Sequence, residues 1–261
     1  MNFFKKIRKK VKASFPYEVL KNYFPKKKKS FAETFGEDLF VDFFFKNKKV
    51  GFYIDVGCNL PKSGSLTYSL YRKGWRGIKV DISKRSIKLN KVHRNRDINL
   101  NISVGNEECL VDSYIFYENC SMNTVNKKFS KYTEESVNKK PTIYKIPQKK
   151  LDNVLKENNV RKIDYLNIDV EGNESEVLGG FNIKKYQPSL ISVEIHDKIC
   201  PPINNKIYRY FIKNGYGLVS IYGWTYFFSN EKKNTVHFDF WIHNEVNKKY
   251  YGLLFWNFEL S

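Results

Sequence analysis

Residues Gly51-Phe-Tyr-Ile-Asp-Val-Gly-Cys-Asn59 make an apolar run that ends in a carboxylate and then a glycine turn. A second apolar run, Gly77-Ile-Lys-Val-Asp81, ends in another carboxylate. Two such runs joined by a helical stretch specify neighbouring parallel strands, with both acids at the carboxyl edge where open α/β sheets bind ligands. The loop after the first strand reads Gly57-Cys58-Asn59-Leu60-Pro61-Lys62-Ser63-Gly64. A dinucleotide site has further glycines there, so that backbone can approach a pyrophosphate. This loop is bulky where phosphates would press in, so a ligand with a ribose and no pyrophosphate fits it better.

S-adenosylmethionine is the common cofactor of that kind. The alternation of strand and helix signals continues along the chain and predicts an α/β fold, a mostly parallel seven-stranded sheet with helices on both faces. The expected strands are Phe52–Val56, Arg76–Val80, Ile98–Val104, Tyr165–Asp169 and Leu190–Ile195, with Leu218–Ile221 and Phe238–Ile242 in the tail. An aromatic hairpin around Tyr222–Ser229 lies between the last two. Expected helices are Ser65–Lys73, Ser83–Arg94 with Ser83 as N-cap, Leu151–Asn158, Glu174–Leu178 and Asn204–Asn214. Residues 105–150 are polar and aromatic and read as an irregular insert with short strands near Tyr114–Tyr117 and Thr142–Ile146.

The hydrophobic fraction of 41% is enough for one substantial core in 261 residues. Residues 1–30 form a basic arm with eleven Lys/Arg against the single Glu18, and residues 31–261 form the domain. Phe3, Phe4, Ile7, Val11 and Phe15 recur at roughly helical spacing between lysines. The arm is therefore either a helix lying on an anionic membrane surface or a partner, or a solvated extension. The net charge of +19 accompanies a strong preference for Lys over Arg and abundant Asn and Ile, a bias that weakens it as evidence for a nucleic-acid partner. Cys58, Cys109, Cys120 and Cys200 show no metal or disulfide spacing. The expectation is a cytoplasmic protein, at the inner face of the membrane if the arm engages it.

The sequence resembles the FkbM-type family of S-adenosylmethionine-dependent methyltransferases. The resemblance rests on Phe35-Gly-Glu-Asp38, Phe52-Tyr-Ile-Asp-Val-Gly57, Pro61, Ser65-Leu-Thr67, Gly74-Trp-Arg-Gly-Ile78, Ile168-Asp-Val-Glu-Gly172, Glu174, Val177-Leu-Gly179 and Val193-Glu194, in that order. It covers roughly residues 30–200, and Asp81-Ile82 departs from the Glu-Pro of many members. The resemblance implies O-methylation of a sugar hydroxyl in a surface glycan or secondary metabolite, with a small-molecule or carbohydrate acceptor.

Each residue then has an expected task. Asp55 and the Gly57 backbone, with Cys58, hold the methionine end, where an ammonium wants a carboxylate. Asn59, Ser65 and Thr67 add hydrogen bonds at the following helix, or simply cap it. Asp81 accepts from the ribose hydroxyls, and Ile82, Ser103 and Val104 border the adenine. Asp169 belongs to both cofactor and acceptor, and joins Glu171, Glu194, His196 and Asp197 in a cluster beside the sulfonium. His196 is the first choice for a general base, with Asp169 and Glu194 next. Alternatively the acids hold a divalent cation. Tyr114 and Tyr117, with Asn119-Cys-Ser-Met-Asn-Thr124, are candidates to shape the acceptor pocket. Glu174 and His93 read as structural or solvated. Two rivals remain: a nucleic-acid methyltransferase, against which Asp169-Val-Glu-Gly172 stands where Asn-Pro-Pro-Tyr would be expected, and a catalytically silent scaffold.

Overall fold

The computed structural model describes residues 11–12, 14–23, 30–32, 35–196, 203–231, 239–243 and 250–254. The strands of the main sheet are β1 (Phe52–Val56), β2 (Arg76–Val80), β3 (Ile98–Leu100), β7 (Tyr165–Ile168), β8 (Leu190–Glu194), β9 (Gly217–Tyr222) and β10 (Thr225–Ser229). Two further strands, β4 (Ser103–Val104) and β5 (Cys109–Ile115), precede β6 (Thr142–Lys149) in the insert, and β11 (Asp239–His243) pairs with β12 (Tyr250–Leu254). The main sheet has the order β3-β2-β1-β7-β8-β10-β9. Strands β3, β2, β1, β7 and β8 are mutually parallel, and β10 runs antiparallel to both of its neighbours.

The strands alternate their side chains between two apolar cores, as the two-residue period of a strand requires. On one face Ile54, Ile78, Leu166 and Ile191 pack with α6 (Leu151–Glu157), α7 (Glu174–Gly179), α8 (Ile183–Tyr186) and α9 (Lys206–Lys213). On the other, Tyr53, Tyr165, Leu190 and Phe227 meet Phe40 and Val41 of α2 (Glu37–Phe44), Leu70 of α3 (Tyr68–Arg72), and Trp75. Helices thus cover both faces. Ser83 caps α4 (Lys84–His93) by accepting from the Ser86 amide.

Three expectations need correction. The third strand does not run unbroken over Ile98–Val104. Asn101 donates from its side-chain amide to the carbonyls of Asp81 and Ile82, which turns the chain between β3 and β4. The insert is ordered: β5 and β6 pair antiparallel from Cys109↔Gln148 to Ile115↔Thr142, with α5 (Lys127–Val137) between them. The antiparallel strand of the main sheet is Thr225–Ser229, within the aromatic hairpin, and Asp239–His243 lies in a separate ribbon. Hydrophobic alternation is present in both segments, so only pairing distinguishes them.

Of the arm, α1 (Phe15–Tyr23) is a helix held to the domain by an ion pair between Glu18 and Arg85 of α4, N–O 2.8 Å. That segment is not a free extension. Phe3, Phe4, Ile7, Pro25, Lys26, Asp197, Cys200 and His237 lie outside the described residues.

Candidate active site

A cavity of about 430 Å³ opens at the carboxyl edge of β1, β2, β7 and β8. Gly57, Cys58, Asn59 and Leu60 form one wall with Asp81, Ile82, Ser103 and Val104, and Asp169, Glu171 and Glu194 form the opposite one. Asn119, Cys120 and Ser121 border it from the insert, and Tyr222 and Trp224 from the β9–β10 turn.

Beneath the floor runs a row of buried polar residues set by strand register: Lys79 opposite Asp55, Asp55 opposite Asn167, and Asn167 opposite Ser192. Asn167 Nδ2 donates to Asp55 Oδ1 at 2.9 Å, and Ser192 Oγ donates to Asn167 Oδ1 at 2.6 Å. Lys79 Nζ lies 3.3 Å from Asp55 Oδ2, with both side chains buried. Thr67 Oγ1 also donates to Asp55 Oδ2, at 2.8 Å, and accepts from Arg94 at 3.0 Å. Burial alone would raise the Asp55 carboxyl, but Lys79, Asn167 and Thr67 outweigh it and hold the group below the usual carboxylate range. Both Asp55 oxygens are therefore engaged by protein donors. Asp55 forms the centre of the floor and, with Asn167, lines the cavity, whereas Thr67 faces Asp55 and Arg94 rather than the cavity. Ser65 lines the cavity while its Oγ accepts from the Thr67 amide and Arg94.

Asp81 stands on the wall formed by the glycine loop. Its Oδ2 accepts from the Asn59 amide at 2.8 Å and its Oδ1 from the Ser83 amide at 2.6 Å. The carboxylate thereby fixes the glycine loop to the start of α4 and still lines the cavity. Burial pushes its pKa up to about 6, against the pull of the two backbone N–H groups. Asn59 sits at φ +39°, a conformation asparagine tolerates better than most residues.

The acidic wall is crowded. Asp169 is exposed, and its side chain lines the cavity. Loss of bulk hydration, then the Glu194 and Glu171 charges, push it well above the usual carboxylate range. Burial and Glu194 likewise push Glu171 up to about 8, despite the opposing effect of His196. Glu171 adopts φ +59° before Gly172 at +91°. Glu174 shapes this turn by accepting from the amides of Val170 and Gly172. The insert clamps it too: Thr124 Oγ1 donates to the Glu171 carbonyl and Asn126 Nδ2 to that of Gly172. The structural reading of Glu174 is the one the geometry supports.

His196 Nε2 lies 3.1 Å from Glu194 Oε2 and 3.9 Å from Glu171 Oε2. Its ring stands between Phe129 and Trp224, with centroids 5.7 and 5.4 Å away. Bonding to Glu194 raises its pKa although partial burial opposes this. The imidazole is exposed and stands outside the cavity lining, whereas the carboxylates of Glu194 and Glu171 line it. Glu171, Glu194 and His196 present ligand atoms within 4.8 Å of one another.

Sequence reasoning missed Lys79, Asn167, Arg94 and Trp224. A lysine in the middle of the buried run Gly77-Ile-Lys-Val was a signal, since such a charge must meet a carboxylate. Trp224, half exposed on the cavity rim, carried none. Tyr114 is buried and Tyr117 packs under Lys139; neither lines the cavity.

The description "Methyltransferase FkbM domain" matches residues 55–218, more than half of the chain. The chain belongs to the FkbM methyltransferase family. Membership implies the class I α/β methyltransferase fold, in accord with the mostly parallel seven-stranded sheet. The match runs from Asp55 to β9 and so includes both long walls of the cavity of this FkbM-family methyltransferase. Ala32, Phe35, Glu37, Tyr222, Trp224 and Thr225 line the cavity from outside it. Neither a curated protein nor a solved structure matches the chain. Among the described residues no helix is long and apolar enough to cross a membrane.

Proposed function

We propose that the protein transfers the methyl group of S-adenosylmethionine to a hydroxyl of a sugar, in a surface glycan or a secondary metabolite. The observation that carries this reading is that Asp81 and the Asp169–Glu171–Glu194 wall open into one cavity on either side of the Gly57 turn. Asp81 retains lone pairs for the ribose hydroxyls, and Ile82, Ser103 and Val104 border the adenine. The sulfonium and the ammonium of the cofactor both carry positive charge. A wall of like-charged acids is costly when empty and is relieved by such a cation. Asp169, open to the cavity, is the carboxylate that the ammonium meets, while Asp55 keeps the floor in place.

Methyl transfer is an in-line displacement, so alignment supplies much of the rate. The acceptor hydroxyl loses its proton as its oxygen attacks. Glu194, linked to His196, and Glu171, once a bound cation offsets the burial and neighbouring acids that raise it, are placed to accept that proton. The atoms of Glu171, Glu194 and His196 also suit a divalent cation, which would polarise the acceptor oxygen. Trp224 at the rim offers a flat apolar face to a sugar ring. The lysines of residues 1–30 add attraction to an anionic membrane surface, which would keep the enzyme at the inner face.

The test is incubation with methyl-labelled cofactor and a panel of nucleotide sugars, oligosaccharides and RNA. Label in a saccharide supports the assignment, and label in RNA alone overturns it. Calorimetry with S-adenosylmethionine separates the enzyme from a silent scaffold, because absence of binding leaves only the scaffold.

A further inference from the structure

Helix α1 lies outside the stretch that matches the family, yet it touches both loops that border the nucleoside side of the cavity. Glu18 Oε2 accepts from Arg85 Nε at 2.8 Å, and Glu18 Oε1 accepts from Asn119 Nδ2 at 2.8 Å. Both Glu18 and Arg85 are largely shielded from water. The Asn22 carbonyl of the same helix accepts from Lys62, in the loop that begins at Gly57. The Val19 carbonyl meets His93 at the end of α4. The insert loop is tied from the other side as well, since Ser83 Oγ donates to the Glu118 carbonyl. One short helix thus spans the glycine loop, α4 and the insert loop.

Its effect on Asn119 is specific. A carboxylate has no hydrogen to donate, so Glu18 can face only the NH2 end of the amide. That leaves the Asn119 amide oxygen shielded from solvent and without a protein donor, on a residue that lines the cavity. An unpaired buried acceptor is costly, and a ligand hydroxyl or amino group beside it would satisfy it.

We propose that α1 is part of the cofactor site and that Glu18 is a positioning residue. It fixes the Asn119 amide so that its oxygen accepts from the nucleoside, and it holds the Asn119–Ser121 wall against the bound ligand. This rests on the S-adenosylmethionine reading. Glu18 acts through Asn119 and touches no reacting atom.

The test compares Glu18→Ala with Glu18→Gln in the full chain. Hydrogen exchange is followed over residues 117–123, and cofactor affinity by calorimetry. Glu18→Ala is expected to speed exchange in that loop and to weaken S-adenosylmethionine about tenfold, the loss of one charge-assisted hydrogen bond. The KM for the acceptor stays unchanged. Glu18→Gln keeps an oxygen for Asn119 and recovers affinity to within about twofold of the wild type. Wild-type affinity and exchange in Glu18→Ala overturn the inference, and so does a Gln variant as weak as the Ala variant. Wild-type protein that binds no S-adenosylmethionine overturns the functional reading itself.

Discussion

Gly57 and Asp169 meet backbone against backbone: a Cβ placed on Gly57 would lie 1.6 Å from the Asp169 carbonyl oxygen. Gly57 also sits at φ +83°, where side chains are strained. The Asp169 amide donates to the Val56 carbonyl at 2.9 Å, so the acidic turn is drawn onto the end of β1. Gly57→Ala must therefore push the two loops apart. The expected outcome is loss of S-adenosylmethionine binding, with a drop in stability on the order of 3 kcal/mol. Thermal denaturation and calorimetry of the variant check this.

The buried Lys79–Asp55 pair sets a second expectation. Lys79→Met removes the cation that faces Asp55 across the register and leaves a carboxylate at the cavity floor with Asn167 and Thr67 as its remaining neutral donors. Breaking a buried pair from one side costs about 3–5 kcal/mol. Urea unfolding should show a lower midpoint with little change in slope.

The crowded acids make stability depend on pH in a direction opposite to that of ordinary paired carboxylates. Glu171 has a folded pKa of about 8 against an ordinary 4.5. Its contribution to stability is present below 4.5 and is lost as pH rises through 8. Glu171→Gln removes that loss. The variant should match the wild type near pH 4 and exceed it by on the order of 2 kcal/mol at pH 9, while turnover falls. A melting-temperature series against pH would reveal equal curves if Glu171 did not titrate this way.

Asp81 titrates lower, at about 6. Ribose binding needs the carboxylate as an acceptor, and so do the Asn59 and Ser83 amides that shape the loop. Affinity for S-adenosylmethionine should fall as the pH is lowered through about 6. Asp81→Asn should flatten that profile and bind about tenfold or more weakly at neutral pH. Calorimetry from about one pH unit below that titration to about two above it decides it.

Much of the fold was legible because it follows from local rules. The apolar runs over Phe52–Val56 and Leu190–Glu194, the Ser83 cap and the glycine turn at Gly57 each carry their own signal in neighbouring residues. The break at Asn101 was not legible, since it depends on carbonyls of Asp81 and Ile82, distant in sequence. Nor was the role of Thr67. As a residue near a helix start it resembles a cap, but its hydroxyl is taken by Asp55 across the fold.

By itself, then, the sequence determined that two strands end in carboxylates at one sheet edge and that acids follow on two later strands, because strand period and turn chemistry are written into adjacent residues. Only the tertiary structure decided what each carboxylate meets. Register across β2, β1 and β7 set Lys79 and Asn167 against Asp55 at the cavity floor, while Asp81 met two loop amides and Asp169 and Glu171 met other acids. The physical reason is that a buried charge is governed by the donors that reach it, and those come from strands far apart in the chain.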